Sequence, residues 1–156
     1  MTASGRSQFR RPESVLVVVY TQDLQVLLLE RVAPEGFWQS VTGTLEWGEP
    51  ADVAARRELF EETGIEAGDA LVNCNRSYLF PILPAWRHRY SPDVIDNREY
   101  LYAIRLEREV PVRLNPAEHR QSVWLSCEEA ANRVFSWTNR EVIEEIAKGV
   151  GALSKI

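Results

Sequence analysis

Residues 43–65 read GTLEWGEPADVAARRELFEETGI. From Ala51 to Thr63 nothing interrupts a helix. Pro50 suits its first turn and Gly64 the position just past its end, so the segment predicts a loop over 44–50 and a helix over Ala51–Thr63. At about 100° per residue, Glu62 falls about 40° and Glu61 about −60° from Glu58, so three carboxylates share one sector. Nearer the N-terminus that sector holds Ala51, Ala54 and Ala55, small enough for a sheet to approach closely, while Val53 and Phe60 point away. Carboxylates three and four residues apart repel, and the last turn of a helix already carries partial negative charge. Arg57 can neutralise part of this. A divalent cation of the Mg²⁺ type, bound through oxygen ligands, suits the remainder; a solvated acidic helix face is the plain alternative.

Working outward, Ser14–Tyr20 is short, apolar and β-branched, and Gln25–Arg31 follows after Thr21-Gln22-Asp23, which predicts a hairpin. Pro34-Glu35-Gly36 predicts a turn and Trp38–Gly43 a third strand. Beyond the helix, Ala70–Phe80 and Glu99–Leu106 have strand composition, the second with Tyr100, Tyr102 and Ile104 on one face, separated by an irregular aromatic loop. Ser122–Leu125 reads as a last strand, and Cys127–Val134 and Asn139–Lys148 as closing helices. Strands on either side of a central helix, with helices at the end, predict an α/β or α+β sandwich with a mixed sheet.

The composition suits such a fold. The chain has 156 residues, 45% apolar and 26% charged, with eight Gly and eight Pro, which excludes disordered, collagenous and disulfide-scaffold classes. A net charge of −5 argues against a protein built to bind nucleic acid or an anionic membrane. Cys74 and Cys127 are too few for a zinc cluster and predict reduced thiols in the cytoplasm. Met1–Glu13 is polar and is no secretory signal, and Val15–Tyr20, the longest apolar run, is far short of the ~20 residues of a membrane span. All but two of the 18 cationic residues are Arg, from codon bias or from phosphate and carboxylate recognition by guanidinium forks.

The spacing Gly43-x5-Glu49-x7-Arg57-Glu58-Leu59-x-Glu61-Glu62-x-Gly64-Ile65 matches each fixed position of the Nudix hydrolase signature. The chain is identified as resembling that family, whose members hydrolyse a nucleoside diphosphate linked to another group. The resemblance implies a Nudix α/β/α sandwich as one domain over 1–156, with 1–10 flexible. It implies Mg²⁺, with Mn²⁺ as a substitute, held by Glu58, Glu62 and the carbonyl of Gly43, with Glu61, Glu62 and Arg57 in catalysis. Whether Glu61 is ligand, general base or both stays open. Phosphoanhydride hydrolysis asks for positioning, charge neutralisation and an activated water, which carboxylate-held Mg²⁺ supplies. Glu49 and Arg57 read as a supporting pair, Arg57 orienting a helix carboxylate and Glu49 tying the loop to the helix; a purely structural ion pair is the alternative.

Further segments resemble one branch of the family, which converts a pterin triphosphate to the monophosphate and pyrophosphate. These are Arg11-Pro12, Phe37–Gly43, Arg87–Tyr90 with Pro92, Glu118-His119 ahead of Trp124-Leu125, and Ser136-Trp137 with Asn139-Arg140. That resemblance implies Arg10, Arg31 and Thr42 near the phosphates, Phe80, Pro81, Ile82, Leu83 and Ser136 along the pocket, and Glu118 as a further metal ligand. Phe80, Trp86, Tyr90 and Trp137 are candidate walls for a flat ring. His88 and His119 are expected to be ordinary satisfied or exposed histidines. The implied partner is a small nucleotide or pterin triphosphate, handled by a monomer or homodimer without nucleic acid or membrane. A Nudix hydrolase of a dNTP, ADP-ribose or a dinucleoside polyphosphate is the second reading. A non-catalytic nucleotide sensor is the third, although such modules typically lose box glutamates and this box keeps all of them.

Overall fold

The computed structural model describes residues 8–149. Most of the expected flexible segment 1–10 lies outside the described residues; within them, the Phe9 carbonyl accepts a bond from Trp47 and the Arg10 amide donates to Arg89. Seven strands, β1 (Glu13–Thr21), β2 (Gln25–Arg31), β3 (Trp38–Gln39), β4 (Val41–Thr44), β5 (Leu71–Pro81), β6 (Asp96–Leu106) and β7 (His119–Ser126), form one mixed sheet. Three helices pack on it: α1 (Ala51–Thr63), α2 (Cys127–Arg133) and α3 (Trp137–Lys148).

The uninterrupted run Val15–Val19 is buried on both faces, as expected of a central strand whose two sides are both covered. Val15, Val17 and Val19 face α1, meeting Ala54, Ala55 and Leu59. Leu16, Val18 and Tyr20 face α2 and α3, meeting Ala130, Val142 and Ile143. Two apolar layers thus enclose the sheet, the predicted α/β/α arrangement. Cys74 and Cys127 are buried and free.

Strand pairing differs from a simple hairpin in a way that builds the site. β1 and β2 pair only beside their turn, at Tyr20↔Val26. β2 then leaves to pair with β7 and β3, and β4 takes the place beside β1, from Ser14↔Thr44 to Val17↔Val41. On its other edge β1 runs parallel to β6, from Glu13↔Arg98 to Thr21↔Leu106. The expected third strand, Trp38–Gly43, therefore divides at Ser40 into β3 and β4. Ser40 is fully buried, and Asn139 takes its backbone N–H through Oδ1 at 2.8 Å and donates to its Oγ through Nδ2 at 2.9 Å. Several other ends move by a few residues. β7 starts at His119 instead of Ser122, β6 at Asp96 instead of Glu99, and α3 at Trp137 instead of Asn139, because Ser136 is its N-cap. α1 keeps both predicted ends. Gly64 stops it at φ +80°, its N–H bonding the Phe60 carbonyl at 2.8 Å.

Since Asn139 alone satisfies both Ser40 groups, Asn139→Ala should leave them buried without partners. We expect a loss of about 3 kcal/mol in urea-induced unfolding, with an unchanged m-value. A loss below about 0.5 kcal/mol would show that Ser40 is held by something else.

Candidate active site

The loop after β4 and the start of the acidic cluster are organised by two guanidiniums. Arg57 binds both oxygens of Glu49, each at 2.8 Å, and reaches Glu61 at 3.1 Å and Glu58 at 3.4 Å. Arg11, entering β1, donates to the Glu46 and Glu49 carbonyls at 2.9 and 2.8 Å. The Arg57 fork holds the Glu49 carboxyl below its usual range, and Glu49 in return raises Arg57. The sequence-predicted partnership of Glu49 with Arg57 is formed, and Arg57 touches two helix carboxylates besides.

The three helix glutamates have distinct surroundings despite sharing a sector. Glu61 is 53% exposed and leans on Arg57. Glu58 is largely buried, and burial together with the charge of Glu61 pushes it up to about 7 against the pull of Arg57. Glu62 is 2% exposed; burial, then the neighbouring Glu58, raises it well above the carboxylate range. Its Oε1 is buried without a hydrogen-bond partner, 3.8 Å from Nε2 of His119. His119 is 3% exposed with both ring nitrogens unpartnered, and burial lowers its pKa. It is neither satisfied nor exposed, contrary to the expectation from sequence. Its place as the first residue of β7, opposite Arg31, drives it inward.

Gly43 is required for space. A Cβ there would lie 1.8 Å from Oε2 of Glu58, so only glycine lets this carboxylate pass the backbone of β4. Glu118 arrives from the turn before β7, where Asn115 donates to its Oε2 at 3.0 Å, and its charge contributes to raising both Glu58 and Glu62. Among the described residues, no three His, Cys, Asp or Glu side chains form a ready cation cage. Glu58 is turned onto Arg57 and Glu118 onto Asn115. The donor chemistry nevertheless fits Mg²⁺. Glu58, Glu62, Glu118 and the Gly43 carbonyl offer oxygen only, and Glu62 Oε1 is buried without a hydrogen-bond partner beside the crowded carboxylates.

Glu58, Gly43 and Glu118 open on a cavity of about 740 Å³ whose lining also includes Arg10, Arg31, Thr42, Phe80, Pro81, Ile82, Leu83 and Ser136. These sequence-predicted residues, far apart along the chain, are brought together. Arg57, Glu61 and Glu62 stand behind that wall and do not line it. Arg31 lies over the rings of Phe37 and Trp86, and burial with the nearby charges of Arg89 and Arg10 lowers its pKa. Three guanidiniums thus gather at one mouth in a chain of net charge −5, a concentration that calls for an anion. Thr42 donates its hydroxyl to the Val15 carbonyl at 2.8 Å, so it faces the cavity as an acceptor unless it rotates. Of the candidate ring walls, Phe80, Trp86, Tyr90 and Trp137 all line the cavity.

Sequence reasoning missed Arg89, Phe37 and Phe135, the last two stacked at 4.1 Å between ring centroids, because contact across the fold has no local signature. It also missed Glu99. Here a signal existed: Glu99, Leu101 and Ala103 alternate onto the apolar face of β6, and the first is a carboxylate.

An α/β/α sandwich whose acidic helix lies against a glycine of the neighbouring strand, beside a cavity lined by carboxylates and arginines, is the frame of a hydrolase of phosphoanhydrides. The chain belongs to the Nudix family: the NUDIX domain profile matches residues 10–146. It is 41% identical over 141 residues to the dihydroneopterin triphosphate diphosphatase of Escherichia coli K12, covering 88% of this chain and 93% of that one. The enzyme of the same name from Haemophilus influenzae is 37% identical over 150 residues, 93% of each chain. The solved structure of the E. coli dihydroneopterin triphosphate pyrophosphohydrolase superposes with a TM-score of 0.84 at 40% identity, over 91% of this chain and 99% of that one.

Gly43→Ala should displace the Glu58 carboxylate while the chain still folds, since a flexible side chain is what must move. We expect kcat to fall at least ~10²-fold with stability changed by under about 1 kcal/mol. Undiminished activity would show that Glu58 does not need this passage. A second outcome concerns Glu99, which burial pushes up to about 7 from 4.5 against a hydrogen bond from Thr138. Its contribution to stability is complete below pH 4.5 and is lost as pH rises to about 7. Relative to Glu99→Gln, the wild type should lose up to about 3 kcal/mol across that window in denaturant titrations; parallel curves would contradict the assignment.

Proposed function

We propose that this protein is a divalent-metal-dependent pyrophosphohydrolase that cleaves dihydroneopterin triphosphate between its α and β phosphates, leaving the monophosphate and pyrophosphate. One observation carries the reading. One cavity of about 740 Å³ is lined by Glu58, by Arg10, Arg31 and Arg89, and by Phe80, Ile82, Leu83 and Trp137, so a carboxylate, guanidiniums and aromatic walls suited to a metal-bound triphosphate with a flat ring face one space. The relatives at 41% and 37% identity, named for that activity, support the choice of substrate.

In this reading Glu58, Glu62, Glu118 and the Gly43 carbonyl hold Mg²⁺, with Mn²⁺ as a substitute. The bound ion supplies charge neutralisation and an activated water. Arg57 is a positioning residue, keeping Glu58 and Glu61 in place from behind the cavity wall. Arg10, Arg31 and Arg89 take the charge of the triphosphate, with Thr42 beside them. Glu61, beside Arg57, and Glu62, at Oε1, are the carboxylates available to accept the water proton. Phe80, Pro81, Ile82, Leu83 and Ser136 enclose the ring and exclude solvent from it. The two free, buried thiols support a reducing compartment, and we place the protein in the cytoplasm as a monomer or homodimer acting on this small molecule. Among the described residues, no helix is long and apolar enough to cross a membrane.

Dihydroneopterin triphosphate, dGTP, dATP and ADP-ribose assayed side by side with Mg²⁺ should give a kcat/KM for the pterin at least ~10-fold above the others, with pyrophosphate as the first product by chromatography. A tenfold preference for dATP or ADP-ribose, or orthophosphate appearing first, would leave the Nudix assignment and remove the pterin.

A further inference from the structure

The acidic side chains buried in this molecule mostly have an evident counterpart. Glu49 and Glu58 have Arg57, Glu30 accepts from Gln121 and the Gly36 amide, and Glu62 belongs to the carboxylate cluster. Glu99 has none of these. It is 6% exposed in β6, on the apolar face shared with Leu101 and Leu16, and its hydrogen-bond partner among the described residues is Thr138, whose hydroxyl donates to Oε1 at 2.8 Å. No cation faces it. Its register neighbours are Ser14 on β1 and Tyr78 on β5.

Glu99 also lines the large cavity, and the polar groups around it there are already committed. Asn139 is used in both directions by Ser40. Asn97 donates to Ser14 Oγ at 2.8 Å, and Ser136 is bound to Thr138 and caps α3. Open to a ligand beside these committed groups are Oε2 of Glu99, which has no hydrogen-bond partner among the described residues, and the carbonyl end of Asn97. Both are acceptors when Glu99 is ionised, so a complementary ligand edge presents N–H donors side by side.

We propose that Glu99 reads the ring of the substrate, its carboxylate accepting the ring N–H and the exocyclic amino group of a 2-amino-4-oxopyrimidine edge. This assignment rests on the proposed triphosphate hydrolysis and names the determinant of its base specificity. A pterin and a guanine carry that edge. Adenine and cytosine place a ring-nitrogen lone pair beside their amino group, facing the carboxylate, and thymine has one N–H between two carbonyls. The distance is suitable. Thr44, Ser14 and Glu99 are successive register partners across β4, β1 and β6, about 10 Å over two strand spacings, and Thr44 accepts from Arg10 at 3.1 Å. A ring held at Glu99 therefore leaves its phosphates towards Arg10 and the Gly43 edge, while Leu16 and Ile82 supply apolar surface beside it. Burial without a cation pushes Glu99 up to about 7, so the empty site carries an acceptor whose ionisation a paired donor edge completes.

The test compares wild type and Glu99→Gln, which keeps the side chain's shape and its acceptor for Thr138. The substrates are dihydroneopterin triphosphate, dGTP, dITP (dGTP without the 2-amino group) and dATP. In the wild type kcat/KM for dGTP should exceed that for dITP at least ~10-fold; in Glu99→Gln the ratio should collapse towards one, through KM rather than kcat, with dATP unchanged or improved. Neopterin, which has no phosphate, should bind the metal-free wild type ~10-fold more weakly for each pH unit below about 7, and the variant without that slope. Of the groups facing Glu99 from β1, β5 and α3, namely Ser14, Tyr78 and Thr138, Tyr78 alone titrates, and it is pushed up to about 12, outside this range. Equal losses on all four substrates, or equal wild-type rates with dGTP and dITP, would overturn the assignment to Glu99. The wild-type comparison needs no variant to fold. If dGTP outperforms the pterin while the dGTP-to-dITP ratio still collapses in the variant, the substrate proposal fails and Glu99 stands. A preserved pterin preference in Glu99→Gln has the reverse meaning.

Discussion

The clamp of Arg57 on Glu49 is the interaction on which the site depends. The two residues are eight apart, one on α1 and one in the loop that follows β4, and both bonds of the fork are 2.8 Å. A paired, partly buried guanidinium–carboxylate contact is stronger and more directional than a surface ion pair, whose median worth is ~0–1 kcal/mol. It closes the loop against the helix, sets where α1 begins relative to β4, and leaves one arm of Arg57 to steady Glu58 and Glu61. Arg11 reinforces it from β1 by holding the loop carbonyls of Glu46 and Glu49. Helix, loop and strand are thereby locked into one unit, with the acidic cluster facing Gly43.

The sheet supplies the other half of the geometry. Because β2 departs from β1 after one register pair, β4 can lie beside β1 and present Gly43 to α1. Alternation then places Thr42 and Thr44 on the opposite face of β4 from the missing Gly43 side chain. The cavity is on the α3 side of the sheet and the acidic helix on the other, and Glu58 passes between them where no Cβ blocks it. Asn139, by occupying both polar groups of Ser40, ties α3 to the break between β3 and β4. These pairings tie the α3 side of the cavity to the Gly43 edge of β4.

Electrostatic cost is concentrated along this path. Glu58, Glu62 and Glu99 are all pushed up by burial, and Arg31 is lowered by burial and by the like charges beside it. Buried acids of this kind reduce stability at neutral pH relative to neutral replacements, so their retention is better explained by ligands than by folding. Three groups along this path ask for different ligands. The carboxylate cluster calls for a cation, the arginine group for an anion, and Glu99 for hydrogen-bond donors, which are the parts of a metal-bound triphosphate carrying a donor-edged ring.

Much was legible in the sequence by itself. The helix Ala51–Thr63, its stop at Gly64, the pairing of Glu49 with Arg57 and the strand at Ser14–Tyr20 all follow from local periodicity, short spacings and backbone preferences, which do not need the fold. The resemblance carried by the segments outside residues 43–65 also named residues that meet in one cavity. Tertiary structure alone decided the rest. That β4 rather than β2 flanks the metal-side end of β1 depends on competition between strand partners. That Glu61 remains in solvent while Glu62 is buried depends on which flank of a shared helix sector meets the sheet. His119 and Glu99 became unusual only when a partner strand and α3 removed their water, since burial is a property of the whole packing and no residue's neighbours in sequence specify it.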